Sequence, residues 1–284
     1  MWWLLGLLGL IFVSWGVFSA HQVLYPAHVA IPIPAISFPH VYERLSAFDG
    51  SVLEVWVFEA HQPRAQLLLC HGFYANRYQV FDIAQGLSER GYEVIVFELR
   101  GHGNRSGPCT LGLKETQDAL GVLRWAQARH ITDPIPLGAL GLSMGGALVC
   151  QIAAQCPNIR AIVTDSVYSR LLPVIKRTIW RRYHIPSIPF AWVTWWSLQL
   201  MLGRHLAQID PAALAINLQQ PLLAIQGGED RRVVPMLGRE FYRLWAGPKE
   251  RWFESTVAHV GMFAQHPKEY CNRVADFFDR TLAG

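Results

Sequence analysis

Charge is scarce in this sequence. Only 16% of its 284 residues are Asp, Glu, Lys or Arg, and the formal net charge is +4. No basic cluster is interleaved with stacking aromatics, which argues against nucleic acid as a partner. The five cysteines, Cys70, Cys109, Cys150, Cys156 and Cys271, include no CxxC pair and no zinc-like spacing. Neither a metal site nor a disulfide framework is therefore expected, and small buried thiols are. Internal repeats and low-complexity segments are missing as well. The glycine-rich stretch 98–106 lacks the GxGxxG and GxxxxGK[ST] spacings, so it reads as a tight turn locked by Arg100 and His102 and not as a phosphate loop.

The most informative absence is at the N-terminus. Residues 1–20 carry no ionisable side chain, and the first Lys or Arg is Arg44. As a helix this stretch spans roughly 30 Å, the thickness of a bilayer's hydrocarbon. Trp2, Trp3 and Trp15 supply rings suited to the interfaces. A retained single-pass anchor is favoured over a cleaved signal peptide, whose basic n-region is missing. The rival outcome is a secreted or periplasmic protein. Orientation is undecided, because no basic residue flanks the stretch. Prolines 26, 32, 34 and 39 break residues 21–40 into an extended tether.

From about residue 41 to 284 the chain reads as one domain, and its 51% hydrophobic content supports a large core. Strand-like runs fall at 51–58, 66–70, 92–97, 136–142, 161–164, 221–226 and 250–254. Helical periodicity falls at 78–90, 113–129, 143–155, 236–246 and 266–282. Several strands are apolar throughout, as strands covered on both faces must be. Such alternation predicts an α/β fold with a mostly parallel sheet and helices on both faces. The insert from about 168 to 219 breaks the rhythm and has an apolar centre. It reads as a helical cap or interfacial helix, with a second membrane span as the rival.

Gly141-Leu142-Ser143-Met144-Gly145 is a GxSxG pentad. Alone it is weak, since three fixed positions recur by chance in roughly one chain in ten of this length. Its context is stronger: a buried strand precedes it and a helix follows, so the Ser143 hydroxyl would stand on a strand-to-helix turn as a nucleophile. Attack on a carbonyl creates an oxyanion that needs N–H donors already aimed at it. Met144 supplies one, and Phe73, in the loop behind strand 66–70, the second. His71 in that loop is expected to brace it. A serine hydroxyl also needs a base and a carboxylate to orient that base. His259, between a strand and the last helix, is the base. Asp230 is the preferred acid, with Glu229 and Asp165 as alternatives. Tyr74, Trp192, Trp195 and Trp196 are candidate substrate contacts.

The segments HGFYANR, ELRGHGNRSGP, GLSMGG, GGEDRRVVP and AHVGMF occur in that order. With them the sequence resembles the α/β-hydrolase superfamily from about Tyr42 onward, and looks closest to membrane-anchored Bem46-like and serine aminopeptidase-like hydrolases. The resemblance implies an α/β-hydrolase fold and an esterase, lipase or acyl-hydrolase triad of Ser143, Asp230 and His259. Two departures are visible: Glu98 stands where Asp is usual, and the Trp-rich insert is long. The expected reaction is ester hydrolysis through an acyl-serine, on an apolar or lipid-like substrate, needing neither metal nor cofactor. A peptidase and a non-catalytic binding protein are the alternatives; a shortage of Asp and Glu in the insert counts against an aminopeptidase. A histidine base must be neutral, so activity should fall on acidification.

Overall fold

The computed structural model describes residues 2–27, 38, 40–203 and 206–282. Helix α1 (Trp2–Leu24) comes first, followed by strands β1 (His40–Ser46), β2 (Val52–Phe58) and β3 (Gln66–Cys70). Then come α2 (Phe81–Ser88), β4 (Glu93–Phe97), α3 (Leu113–Ala128), β5 (Leu137–Leu142), α4 (Met144–Ala153) and β6 (Ile159–Asp165). The insert contains α5 (Leu171–Tyr183), α6 (Ser187–Leu202) and the short α7 (Pro211–Ala215). The chain closes with β7 (Leu222–Gly227), α8 (Pro235–Leu244), β8 (Lys249–Glu254), α9 (Met262–Gln265) and α10 (Pro267–Leu282).

The eight strands form one sheet in the order β1-β2-β4-β3-β5-β6-β7-β8. Pairing is antiparallel at β1–β2 and β2–β4 and parallel from β4 through β8. The expected mostly parallel sheet is therefore present, with helices on both faces. Side chains along β3 alternate across it. Leu68 and Cys70 join the core shared with α3, α4 and α8, while Leu67 and Leu69 join the one shared with α2 and α10. Burying each leucine contributes about 2 kcal/mol, which is why this strand is apolar at successive positions.

Helix α1 continues through Leu24, four residues beyond the division at Ala20. The proline-rich tether falls mostly on residues 28–37 and 39, outside the described residues. Strand β1 was not expected. It is a polar edge strand, exposed at most positions and held by its register with β2. All five cysteines are free.

In the insert, α6 is 16 residues long with a non-helical residue at Ile188, and α1 packs against it. The two helices come close because residue 16 is glycine: a Cβ there would run into Ser197 Oγ and Val193 Cγ1. Phe12 and Trp15 set their rings against Phe190, at 5.4 and 5.2 Å. Ser19 Oγ and Thr194 Oγ1 share a buried hydrogen bond of 2.7 Å. The carbonyl of Leu24, at the end of α1, accepts from the Cys109 N–H at 2.7 Å.

Candidate active site

The parallel strands β3, β5, β6, β7 and β8 all run the same way, and the loops at their carboxyl ends converge on one place. Open α/β sheets build their sites there. Ser143 follows β5 directly and precedes α4. Its backbone sits at φ 53°, ψ −113°, a conformation that costs a non-glycine residue about 1–3 kcal/mol and persists only where its surroundings impose it. Those surroundings are close: the Ser143 N–H donates to the Asp165 carbonyl at 2.7 Å. A Cβ on Gly145 would collide with the carbonyl oxygens of Cys70 and His71. The turn is tight because glycine lets α4 start against β3.

Ser143 Oγ lies 3.0 Å from Nε2 of His259, and Nδ1 of that ring lies 2.7 Å from Asp230 Oδ2. Asp230 is buried after β7, and its other oxygen accepts the Arg232 and Val233 N–H groups at 2.9 and 2.8 Å. Gln226 Nε2 reaches Oδ2 at 3.2 Å. This cradle fixes the direction of the carboxylate. Of the three acids considered, Asp230 is the one bonded to the histidine. Asp165 is instead buried at the end of β6, where Ser166 Oγ donates to it at 2.9 Å, and burial pushes its carboxyl up to about 6. Ser166 Oγ also accepts the Val260 N–H at 3.0 Å, steadying the loop that carries His259.

The N–H of Met144 opens α4, where the helix dipole adds partial positive charge. The Phe73 N–H belongs to the loop after β3, and among the described residues neither N–H is engaged by another protein group. That loop is pinned from beneath. Glu98 Oε2 accepts from Arg77 at 2.6 Å, and Glu98 Oε1 accepts the Arg77 N–H at 3.1 Å and lies 2.9 Å from His71 Nε2. Burial works to raise the Glu98 carboxyl, but His71 and Arg77 outweigh it and hold it below its ordinary range. The longer Glu at this position therefore bridges two loops. The neighbouring turn is locked as expected, with Arg100 clamped on Asp118 at 2.6 Å and His102 Nδ1 2.8 Å from the Arg100 carbonyl.

A search of this chain against protein-family models matches the α/β hydrolase fold over residues 66–184. The turn at Ser143 lies within that match, and the same parallel sheet continues beyond it through β7 and β8. This chain has the α/β-hydrolase fold. Among solved structures sharing it, an esterase of Pyrococcus furiosus superposes with a TM-score of 0.75 at 22% identity, covering 92% of this chain and 98% of the esterase. An acylaminoacyl peptidase of Pyrococcus horikoshii superposes with a TM-score of 0.67 at 20% identity, over 86% of this chain and 42% of the peptidase. Sequence relatives include an uncharacterised protein of Mycobacterium tuberculosis, 28% identical over 74% of this chain and 69% of its own length. Another is the uncharacterised protein YfhR of Escherichia coli, 25% identical over 84% of this chain and 80% of its own length.

Within this hydrolase fold a cavity of about 350 Å³ contains Ser143, Met144, Phe73 and His259. Of the expected substrate contacts, Tyr74 lines it and the three tryptophans do not. Trp195 is packed into the core at 7% exposure, while Trp192 and Trp196 face outward at 40% and 62%. The face of α6 turned to the cavity is that of Thr194. Because α6 is apolar all round, its sequence carried no signal of which side faces in. Sequence reasoning also missed Ser19, Gln22 and Val23 of α1, and Arg177, Arg181, Arg182 and Arg232, all of which line the cavity.

Proposed function

We propose that this protein is a serine hydrolase that cleaves a carboxylic ester through an acyl intermediate on Ser143. The observation that carries this reading is the hydrogen-bonded series Ser143, His259, Asp230, with separations of 3.0 and 2.7 Å, on a turn that lifts Ser143 into the cavity. Ser143 Oγ attacks the ester carbonyl and passes its proton to His259 Nε2. The oxyanion is met by the Met144 and Phe73 N–H groups. The alcohol leaves with the proton held by His259, and the acyl group stays on Ser143. Water, deprotonated by the same ring, then releases the acid and restores the serine. Asp230 keeps the proton on Nδ1 so that Nε2 is free to act as base. The esterase among the structural neighbours and the order of the five sequence motifs support the same reading.

A peptidase that captures a free α-amino group is disfavoured, since among the described residues Arg and no Asp or Glu lines the cavity. The same feature counts against the serine aminopeptidase-type alternative, while the order of the five motifs still supports the resemblance to membrane-anchored Bem46-like and serine aminopeptidase-like hydrolases as a group. Helix α1 belongs to this reading as a retained anchor with the hydrolase domain attached. Cleavage near Ala20 would remove Ser19, which lines the cavity.

The test is hydrolysis of p-nitrophenyl butyrate by the full-length protein in detergent. Ser143→Ala should lower kcat by about 10⁴-fold or more while leaving the far-ultraviolet spectrum unchanged. A Ser143→Ala protein that keeps its rate, or a wild type inert toward esters, would overturn the proposal.

A further inference from the structure

The charge on the cavity wall is one-sided. Arg177, Arg181, Arg182 and Arg232 line it, and among the described residues no carboxylate does. None of the four has an Asp or Glu within ion-pair distance among the described residues. Arg177 Nε and Arg181 both donate to the Arg231 carbonyl at 2.6 Å, and Arg182 reaches Tyr74 Oη at 3.4 Å. Each guanidinium carries five N–H donors in a planar fork that suits phosphate and carboxylate oxygens. Most of those donors are uncommitted. Arg181, Arg182 and Arg232 are exposed as well as lining, which puts them at the rim. Like charges gathered at a rim repel one another, and an anionic ligand there relieves the repulsion.

Deeper in, the wall is apolar: Val23 from α1, and Leu171, Val174, Ile175 and Ile179 from α5. An acyl chain fits such a wall. The contribution of α1 begins at Ser19, directly after its long exposed apolar stretch, in which Leu10, Val13, Val17 and Phe18 face outward. Helix α1 is about 34 Å long, enough to cross a bilayer's hydrocarbon. Beside it, α6 turns Ile188, Trp192, Trp196 and Leu200 outward at four-residue spacing, with Leu200 at 84% exposure. Lys176 Nζ sits 5.2 Å over the Trp192 ring. Aromatic rings with basic residues beside them match a membrane interface with anionic headgroups.

From these observations we infer that the cavity takes an acyl ester of net negative charge, drawn from a lipid surface: the arginine rim receives a headgroup whose anion no cation of its own offsets, and α1 and α5 flank the acyl chain. This deepens the ester-hydrolase reading and rests on it. Helix α1 and the outer stripe of α6 are both covered by the bilayer, so the cavity opens where lipid headgroups lie.

The experiment uses the full-length protein in phosphatidylcholine vesicles and follows release of oleate from 1-oleoyl-lysophosphatidylglycerol and from 1-oleoyl-lysophosphatidylcholine. The two share chain and scissile bond and differ in net charge. Wild type should cleave the anionic lipid about ten-fold faster, the discrimination expected of one or two charge-assisted hydrogen bonds. Arg181→Gln with Arg182→Gln should erase that ratio, and Arg181→Lys with Arg182→Lys should keep most of it. Equal rates in wild type, or a ratio untouched by the Gln pair, would overturn the inference. A dissolved short-chain analogue, 1-hexanoyl-lysophosphatidylglycerol, should be turned over more slowly than the vesicle-borne lipid; equal turnover would overturn the lipid surface as the source. Hydrolysis of p-nitrophenyl butyrate without cleavage of either lysolipid would sink this inference alone. Inertness toward all of these esters would sink the ester-hydrolase reading with it.

Discussion

Ser19 on α1 and Thr194 on α6, separated by 175 residues, share a buried hydrogen bond of 2.7 Å, and both line the cavity that contains Ser143. The apolar N-terminal helix is thus part of the wall around the candidate nucleophile.

That junction depends on a missing side chain. Replacing Gly16 with Leu forces a side chain into Val193 and Ser197, and overpacking of this kind costs about 1–3 kcal/mol. The expected outcome is a lower melting temperature, and limited proteolysis should cut between α1 and the rest at a protease level that spares wild type. Unchanged proteolysis would show that α1 does not need this close approach.

The turn at the nucleophile should be equally intolerant. Gly145→Ala places a methyl group against the Cys70 and His71 carbonyl oxygens. Those atoms belong to the end of β3 and the loop after it, so the displaced part is Ser143. Ester hydrolysis should fall by at least about 10²-fold, the penalty for a nucleophile displaced by about 1 Å.

Asp230→Asn tests orientation separately from charge burial. The amide is isosteric, yet it can present an N–H to Nδ1 of His259 and reverse the tautomer. A fall of about 10⁴-fold in kcat with an unaltered fold is expected. A drop below ten-fold would assign the orienting role elsewhere.

Two buried carboxylates should respond to pH in opposite directions. Burial raises the Asp165 carboxyl to about 6, so its neutral form favours the folded protein. That contribution is fully present below about pH 4 and lost as pH rises through about 6. Asp165→Asn should therefore gain on wild type by about 3 kcal/mol between pH 4 and pH 7.5, read as a difference in unfolding free energy. The Glu98 carboxyl is lowered despite its burial. Its contribution is present at neutral pH and lost as pH falls through its lowered value. Glu98→Gln at pH 7 leaves the buried Arg77 guanidinium with only the 3.7 Å contact to the partly exposed Glu54 carboxylate, and should cost about 3 kcal/mol of unfolding free energy, the lower end of the range for breaking one side of a buried pair.

Much of this arrangement could be read from the sequence because local chemistry dictates it. Strand β3 is apolar at Leu67, Leu68 and Leu69 since both faces are covered. The pentad at Ser143 needs its glycines, and the order Ser143, Asp230, His259 follows the strands that carry them. Strand β1 escaped notice because its residues are mostly polar and its conformation comes from pairing with β2. The tryptophans of α6 misled for a related reason: a helix apolar on every side buries whichever face its neighbours choose, and here α1 and α5 choose Thr194 and Trp195. The arginine rim joins α5 to the loop after β7, whose nearness no single segment encodes.

The bond from the Cys109 N–H to the carbonyl of Leu24 ties the last turn of α1 to the loop that follows β4. Removing the first twenty-odd residues to obtain a water-soluble protein would therefore do more than cut a leash. It would take away a strip of the cavity wall beside Ser143 and leave that N–H without its acceptor. Whatever ligands a trimmed protein prefers would be a poor guide to those of the intact chain.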